Sequence, residues 1–261
     1  MLSRNLDKAR KAFEQGDAST SRTAHDHADM ETHRDGGGRY LKSSIYGGLD
    51  GIITTFAVVA GVAGASLEAS IVLILGFANL IADGLAMAFG EFLSGKAERE
   101  FHAAERAREG WEFENHPEGE KKELVELYVE KGLSEEDATS VVEIFAKKKE
   151  VMVDVMMVEE LGLFEDDASP MGNALATFLS FVIFGFVPLM SYVATEWMGL
   201  TWKQFPLACG LTALTLFFLG AFKVRFTQRS WLGSGLEMTL VGGIAALAAF
   251  GIGHGLSGLA N

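Results

Sequence analysis

Five long apolar runs alternate with polar stretches along the chain. They cover residues 45–65, 71–93, 174–194, 205–222 and 236–256. A run of about 18 or more apolar residues is the usual signature of a transmembrane helix, so the pattern predicts five membrane spans. Pro188 lies inside the third run and predicts a kink there, because proline interrupts the helical hydrogen bonds.

A long polar segment separates the second run from the third, and its pattern predicts three helices. The first continues out of the second span and stops near Pro117; the second covers about 119–131. The third opens with Ser134 and Asp137 as a capping box and runs to about Phe164. The predicted fold is therefore an all-α membrane protein, with five transmembrane helices and a three-helix cytosolic insert between the second and third spans.

The same pattern divides the chain into four parts. Residues 1–38 are polar and lack a hydrophobic period, so a disordered tail is predicted. Residues 39–94 hold the first two spans, 95–169 the insert and 170–261 the last three spans. The tail contains the histidines His25, His27 and His33, which a solvated tail explains better than a metal site, because a floppy segment lacks preorganised ligands.

Charge is concentrated in the insert. The chain of 261 residues carries a net charge of -13, and residues 95–169 contain 22 acidic but only 10 basic side chains. This sign argues against nucleic acid as a partner, since phosphates require Lys and Arg, and favours cations. Cys209 is the single cysteine of the sequence, which excludes a disulfide framework or a thiolate metal cage.

Ionisable side chains inside the apolar runs need an explanation. Asn79, Asp83, Met87 and Glu91 are spaced by four and form one stripe on a helix. A carboxylate in hydrocarbon costs at least roughly 2.5 to 3.5 kcal/mol, so the stripe is expected to face protein or water. The tight turn between the first two spans puts Asp50 on the adjacent antiparallel helix, nearest the end where Met87 and Glu91 emerge. The stripe is either an ion route or a buried polar cluster that locks helices together.

The insert carries acidic pairs at helical spacing. Glu109 and Glu112 are three apart, as are Glu120 and Glu123, and the break at Pro117 folds one pair towards the other. A divalent cation would remove the repulsion within each pair, which is roughly 0.2 to 0.5 kcal/mol on an isolated helix. Further along, Met156 and Glu160 could complete a cage, and a thioether ligand favours Fe(II) and its neighbours over Mg and Ca. The alternatives are a solvated helix face for each glutamate and a core position for Met156 and Met157.

Basic residues predict the orientation. Arg and Lys flank the start of the first span, the end of the second and the connection from the fourth to the fifth, whereas the opposite connections hold a single lysine. By the positive-inside rule, the N-terminus and the insert are cytosolic and the C-terminus lies across the membrane, in the lumen.

Three sequence blocks resemble the vacuolar iron transporter family of plants, fungi and protists. They are GGLDGIITTFAVVAGVAGA, NLIADGLAMAFGEFLSGKAERE and, in the insert, EVMVDVMMVEELGL. The resemblance implies a homodimeric, proton-coupled exporter of cytosolic Fe2+ into the vacuole, with Asp50 and Met87 on the transport path. It also implies a set of cytosolic metal ligands, which are Glu109, Glu112, Glu120, Glu123, Met156, Met157 and Glu160. The metal is not fixed, since some relatives favour manganese.

An enzyme is the alternative from another class, namely a membrane-attached di-iron carboxylate oxidase. Such enzymes use Glu-x-x-His on paired helices, and neither His102 nor His116 has a glutamate three positions before it. We therefore expect a transporter with no catalytic residue and no permanent cofactor. Its expected partners are the lipid bilayer, protons and Fe2+, with Mn2+, Co2+ or Zn2+ as other possible ligands.

Overall fold

The computed structural model describes residues 12–13, 15–20, 40–164, 168–199, 203–227 and 230–259, and these contain helices but no strand. From residue 41 onward, the described residues form nine α-helices. They are α1 (Leu41–Gly64), α2 (Ala69–Asn115), α3 (Pro117–Glu130), α4 (Glu135–Phe145), α5 (Lys149–Glu159), α6 (Pro170–Gly185), α7 (Met190–Met198), α8 (Gln204–Thr227) and α9 (Trp231–Leu256).

The prediction of five membrane spans is confirmed. The helices that are long and apolar enough to cross a bilayer cover Leu41–Gly64, Ala69–Asn115, Pro170–Met198, Gln204–Val224 and Trp231–Leu256. The kink predicted at Pro188 is a short 3-10 turn over Val187–Leu189, which divides the third span into α6 and α7. The second span belongs to a continuous helix of 47 residues, so α2 carries both the intramembrane stripe and the first acidic pair of the insert.

The insert differs from the prediction in its last helix. Ser134 caps α4, its hydroxyl accepting from the Asp137 amide at 3.1 Å, as the capping box predicted. The single helix expected up to Phe164 is instead broken at Ala146–Lys148 and ends at Glu159. A straight helix of that length would extend about 45 Å, far beyond the 14-residue α3. The break lets α4 pack on α3 while α5 packs on α2.

The predicted disordered tail lies mostly outside the described residues. Within the described part, residues 12–13, 15 and 18–20 are helical. Asp17 begins the last of these, because its carboxylate accepts from the backbone amides of Ser19 and Thr20 at 2.9 and 3.2 Å. His25, His27 and His33 lie outside the described residues.

Glycines bring α1 into direct backbone contact with two other spans. A Cβ added at Gly51 would overlap the Phe181 carbonyl oxygen of α6, and one added at Gly64 would overlap the Phe250 carbonyl oxygen of α9. Phe181 itself is fully buried and also contacts the glycine at position 84 of α2. Small residues such as glycine allow membrane helices to approach each other this closely. The contact matters for the site because Asp50 precedes Gly51 directly.

Gly51→Ala is expected to lower the thermal stability of the purified protein. The added methyl group meets backbone that cannot move aside, and overpacking of this kind costs roughly 1 to 3 kcal/mol. Gly243→Ala is the matched control, since nothing lies within 4 Å of a Cβ at that position. It should leave the melting temperature unchanged or raise it slightly, because alanine favours helix over glycine by about 1 kcal/mol. Equal melting curves for both variants would contradict the packing described.

Candidate metal-binding and transport sites

Five glutamates of the insert gather into one group, called here the carboxylate cluster: Glu109, Glu112, Glu120, Glu123 and Glu160. It consists of two overlapping triads. In the first, one oxygen each of Glu109, Glu112 and Glu120 lies within 4.8 Å of the others. In the second, the same holds for Glu120, Glu123 and Glu160. Glu120 belongs to both triads and is therefore the centre of the cluster.

The fold brings the cluster together at the end of α2. The helix stops before Pro117, which cannot continue it and occupies the first turn of α3 instead. The His116 amide still donates to the Glu112 carbonyl at 2.7 Å, so the chain reverses tightly. Glu120 then returns to the side of Glu112, and Glu160 arrives from the C-terminal end of α5.

Burial and repulsion act together on these acids. Glu109 is 1% exposed and Glu120 is 8% exposed. Burial, opposed by Arg108 and reinforced by neighbouring acids, raises the pKa of Glu109 to about 6. Burial and the Glu123 carboxylate raise the pKa of Glu120 to about 7, and burial raises the pKa of Glu160 as well. The cluster thus favours either protons or a cation on its oxygens.

Among the described residues, Arg108 is the basic residue that forms ion pairs with the cluster. Its guanidinium lies 2.6 Å from Glu109 Oε1, 2.6 Å from Glu112 Oε2 and 2.8 Å from Glu105 Oε2. The contact with Glu109 Oε1 is an ion pair without hydrogen-bond geometry, and Glu109 Oε2 has no hydrogen-bond partner within the described residues. Buried oxygens in that condition suit a divalent cation. Sequence reasoning missed Arg108, although its spacing of three from Glu105 and four from Glu112 is the ordinary signal for helical ion pairs.

The two methionines predicted as ligands lie in different surroundings. Met156 is fully buried in the apolar core of the insert, with Leu124, Val142 and Met152. Met157 lines a cavity of about 740 Å³ between α2 and α5 that also borders Arg106 and Asp154. The core position weighed for Met156 is therefore the position it occupies, and ligation of metal by either sulfur stays a prediction.

In the membrane, the structure sets the depth of Asp50. The Ser43 hydroxyl donates to Glu91 Oε1 at 3.0 Å. Since α1 and α2 are antiparallel, moving seven residues from Ser43 to Asp50 matches moving seven residues from Glu91 to Gly84. Asp50 is thus level with Asp83, and the two carboxylates are close enough to repel each other when both are charged. The sequence placed Asp50 nearest the end of the second span where Met87 and Glu91 emerge, and the hydrogen bond fixes its level at Asp83, about two turns from Glu91.

The remaining stripe residues are partly buried. Met87 packs against the apolar core that includes Phe181 and Leu80. The Asn79 Nδ2 atom is buried and has no hydrogen-bond acceptor within the described residues. A polar group buried without a partner favours a ligand or water at that level over a fully satisfied structural cluster.

The chain is similar to known transporters. A model of the VIT family matches residues 41–254. The vacuolar iron transporter of Toxoplasma gondii is 42% identical over 96% of this chain and 88% of its own length. That of Plasmodium falciparum is 39% identical over 97% of each chain, and vacuolar iron transporter 1 of Arabidopsis thaliana is 32% identical over 82% of this chain and 84% of its own length.

Proposed function

Because the chain belongs to the VIT family, we propose that it is a vacuolar membrane transporter that moves Fe2+ out of the cytosol in exchange for protons. The substrate is taken from the relatives, which are named as vacuolar iron transporters in protists and plants. The observation that carries the proposal is the level pairing of Asp50 with Asp83 on two adjacent spans. Two carboxylates held in an apolar layer need a cation or protons between them.

Exchange follows from competition for the same oxygens. A carboxylate must be deprotonated to hold a metal, so an arriving cation displaces protons and arriving protons displace the cation. A proton-rich lumen therefore drives release on the far side and returns the empty site in its protonated form. Met87, four residues after Asp83 on α2, would add a soft sulfur ligand, which favours Fe(II) over Mg and Ca.

The carboxylate cluster collects metal before transport. Glu109 lies on the same helix as Glu91, 18 residues further on, so the two are separated by about 27 Å along α2. The cluster therefore cannot be the transport site, and metal bound there must be released to reach the membrane. Carboxylate oxygens also accept Mn2+, which makes a manganese-preferring transporter the second outcome to test.

Two further parts of the proposal are the orientation of the chain in the membrane and its assembly as a homodimer. By the positive-inside rule, the basic residues that flank the spans support a cytosolic N-terminus and insert and a luminal C-terminus. Gly251 and Gly255 of α9 have open space where a Cβ would lie, so this small-residue face is available to a second copy.

The decisive experiment is metal uptake into proteoliposomes that contain the purified protein. With an acidic interior and Fe2+ outside, we expect uptake that depends on the pH gradient and stops when an ionophore dissipates it. Oxygen consumption by the same preparation tests the di-iron oxidase. The proposal fails if Fe2+ consumes oxygen without crossing the membrane.

Metal binding to the cluster is expected to weaken at mildly acidic pH. Glu109 and Glu120 have pKa values of about 6 and about 7, above the usual 4.5. Both are mainly ionised at pH 7.5 and mainly protonated at pH 5.5, so the apparent Kd should rise roughly 100-fold between these values. Titration of the protein with Mn2+ at both pH values measures the change.

On acidification, the folding stability of the metal-free protein should increase, whereas its metal affinity decreases. A raised folded-state pKa means that the contribution of these two groups is fully present below about pH 4.5 and is lost as the pH rises through 6 to 7. On acidification from pH 7.5 to 5.5, the melting temperature should therefore rise more in the unaltered protein than in Glu120→Gln. A metal affinity that is constant across this range would contradict the assignment.

A further inference from the structure

Arg108 holds an unusual position beside the carboxylate cluster. It lies on the surface of α2, 43% exposed, yet its guanidinium reaches the nearly buried Glu109 and the half-buried Glu112, both at 2.6 Å. The same guanidinium also contacts Glu105 through Nε at 3.1 Å and Nη2 at 2.8 Å. Glu105 is outside both triads of the cluster. The guanidinium of Arg108 is thus shared between two glutamates of the cluster and Glu105, which lies outside it.

The metal-free cluster needs such a cation. Glu109 is 1% exposed and has Glu112 and Glu120 within 4.8 Å, so burial and like charge both oppose its ionisation. Arg108 is the group that opposes these effects at Glu109 and also at Glu160. A guanidinium does not lose its proton in proteins, so Arg108 stays on these oxygens at every physiological pH. It must therefore compete with any metal that binds there.

We propose that Arg108 is a resident counter-ion of the cluster, which occupies the Glu109 and Glu112 oxygens when metal is absent and yields them when metal binds. This inference rests on the proposed function, since it assigns a role to a residue beside the metal ligands. Glu105 provides the alternative position, because it already accepts two bonds from the same guanidinium. Arg108 is a positioning residue, and no contact between Arg108 and the metal is required.

The consequence is a cluster that binds metal less tightly than its five carboxylates would alone. A cluster about 39 Å along α2 from Asp83 has to give its metal up within a transport cycle. The returning guanidinium replaces the departing cation, so release never leaves Glu109 buried and uncompensated. Arg108 thereby lowers the affinity of the cluster for metal and speeds the release of the metal.

The test is Mn2+ binding to the full-length purified protein at pH 7.5, with three variants. Arg108→Gln removes the competitor, so the Kd should fall about tenfold and the rate of metal release to a chelator should slow by a similar factor. Arg108→Lys keeps one charge and should stay within about threefold of the unaltered protein. Arg106→Gln is the matched control, because Arg106 pairs with Asp154 at 2.5 Å and has no contact with the cluster.

Glu105→Gln provides a second line that does not depend on the folding of the arginine variants. Without its alternative partner, Arg108 should hold the cluster oxygens more firmly, so Mn2+ affinity should weaken by about threefold. A lower melting temperature of metal-free Arg108→Gln together with tighter binding supports the inference, since the empty cluster has then lost its counter-ion.

The outcomes separate this inference from the proposed function. If the unaltered protein binds Mn2+ and Arg108→Gln binds it equally or more weakly, the counter-ion role is overturned while the cluster stands. If neither protein binds Mn2+, the cluster itself fails as a metal site and the inference fails with it. If only Arg108→Gln binds, the competition is stronger than proposed and the role is supported.

Discussion

Asp50→Ala is expected to abolish proton-driven Fe2+ uptake into proteoliposomes. Asp50 is level with Asp83 on the neighbouring span, and we propose that the two carboxylates hold the transported cation between them. Removing one carboxylate leaves a single acid that cannot neutralise a divalent ion. Loss of an outer-shell group already costs 10 to 100-fold in metal sites, so we expect at least roughly 100-fold lower initial uptake. Radiolabelled iron in the vesicles measures this directly.

Two controls isolate the transport role of Asp50. Asp50→Asn preserves the shape of the side chain and should lose uptake equally, because charge is the property required. Glu237→Gln removes another acid from an apolar helix, but Glu237 is exposed on α9, and uptake should remain within about twofold. Mn2+ binding to the insert should be unchanged in all three. Normal uptake by Asp50→Ala would remove Asp50 from the path.

The membrane part could be predicted from sequence because hydropathy and proline act locally. Five apolar runs gave five spans, and Pro188 gave the break between α6 and α7. The depth of Asp50 could not be predicted to better than a turn or two. It depends on the Ser43 to Glu91 hydrogen bond and on glycine contacts such as that of Gly51 with Phe181, which are tertiary.

In the insert, the gathering of the glutamates could be predicted from local sequence, but the break between α4 and α5 could not. Helical spacing and Pro117 placed Glu109, Glu112 and Glu120 on facing surfaces, which the structure brings within 4.8 Å. The break at Ala146–Lys148 carries no glycine or proline, and the apolar spacing continues through it. It arises because α4 and α5 pack on different helices, and that choice is set by the whole insert. For the same reason, Met156 could not be assigned to core or cage beforehand.

Glu120→Gln is expected to cause the largest loss of metal binding to the insert. Glu120 supplies an oxygen to both triads, and it is 8% exposed, so water does not readily take its place. Changing Glu112 disturbs one triad, whereas changing Glu120 disturbs both. We expect the Kd for Mn2+ to rise by roughly 100-fold or more in Glu120→Gln, and by about tenfold in Glu112→Gln. Calorimetry on the full-length protein at pH 7.5 measures both.

Glu118→Gln is the matched control for this comparison. Glu118 is two residues away on the same helix, 85% exposed, and pairs with Lys121 at 3.2 Å outside the cluster. Its loss changes the net charge of the insert by the same amount as the loss of Glu120, so a general electrostatic attraction for cations would weaken binding equally in both variants. A specific site predicts an unchanged Kd in Glu118→Gln. Equal weakening would show that the insert attracts metal only through its overall negative charge, with the geometry of the two triads playing no part.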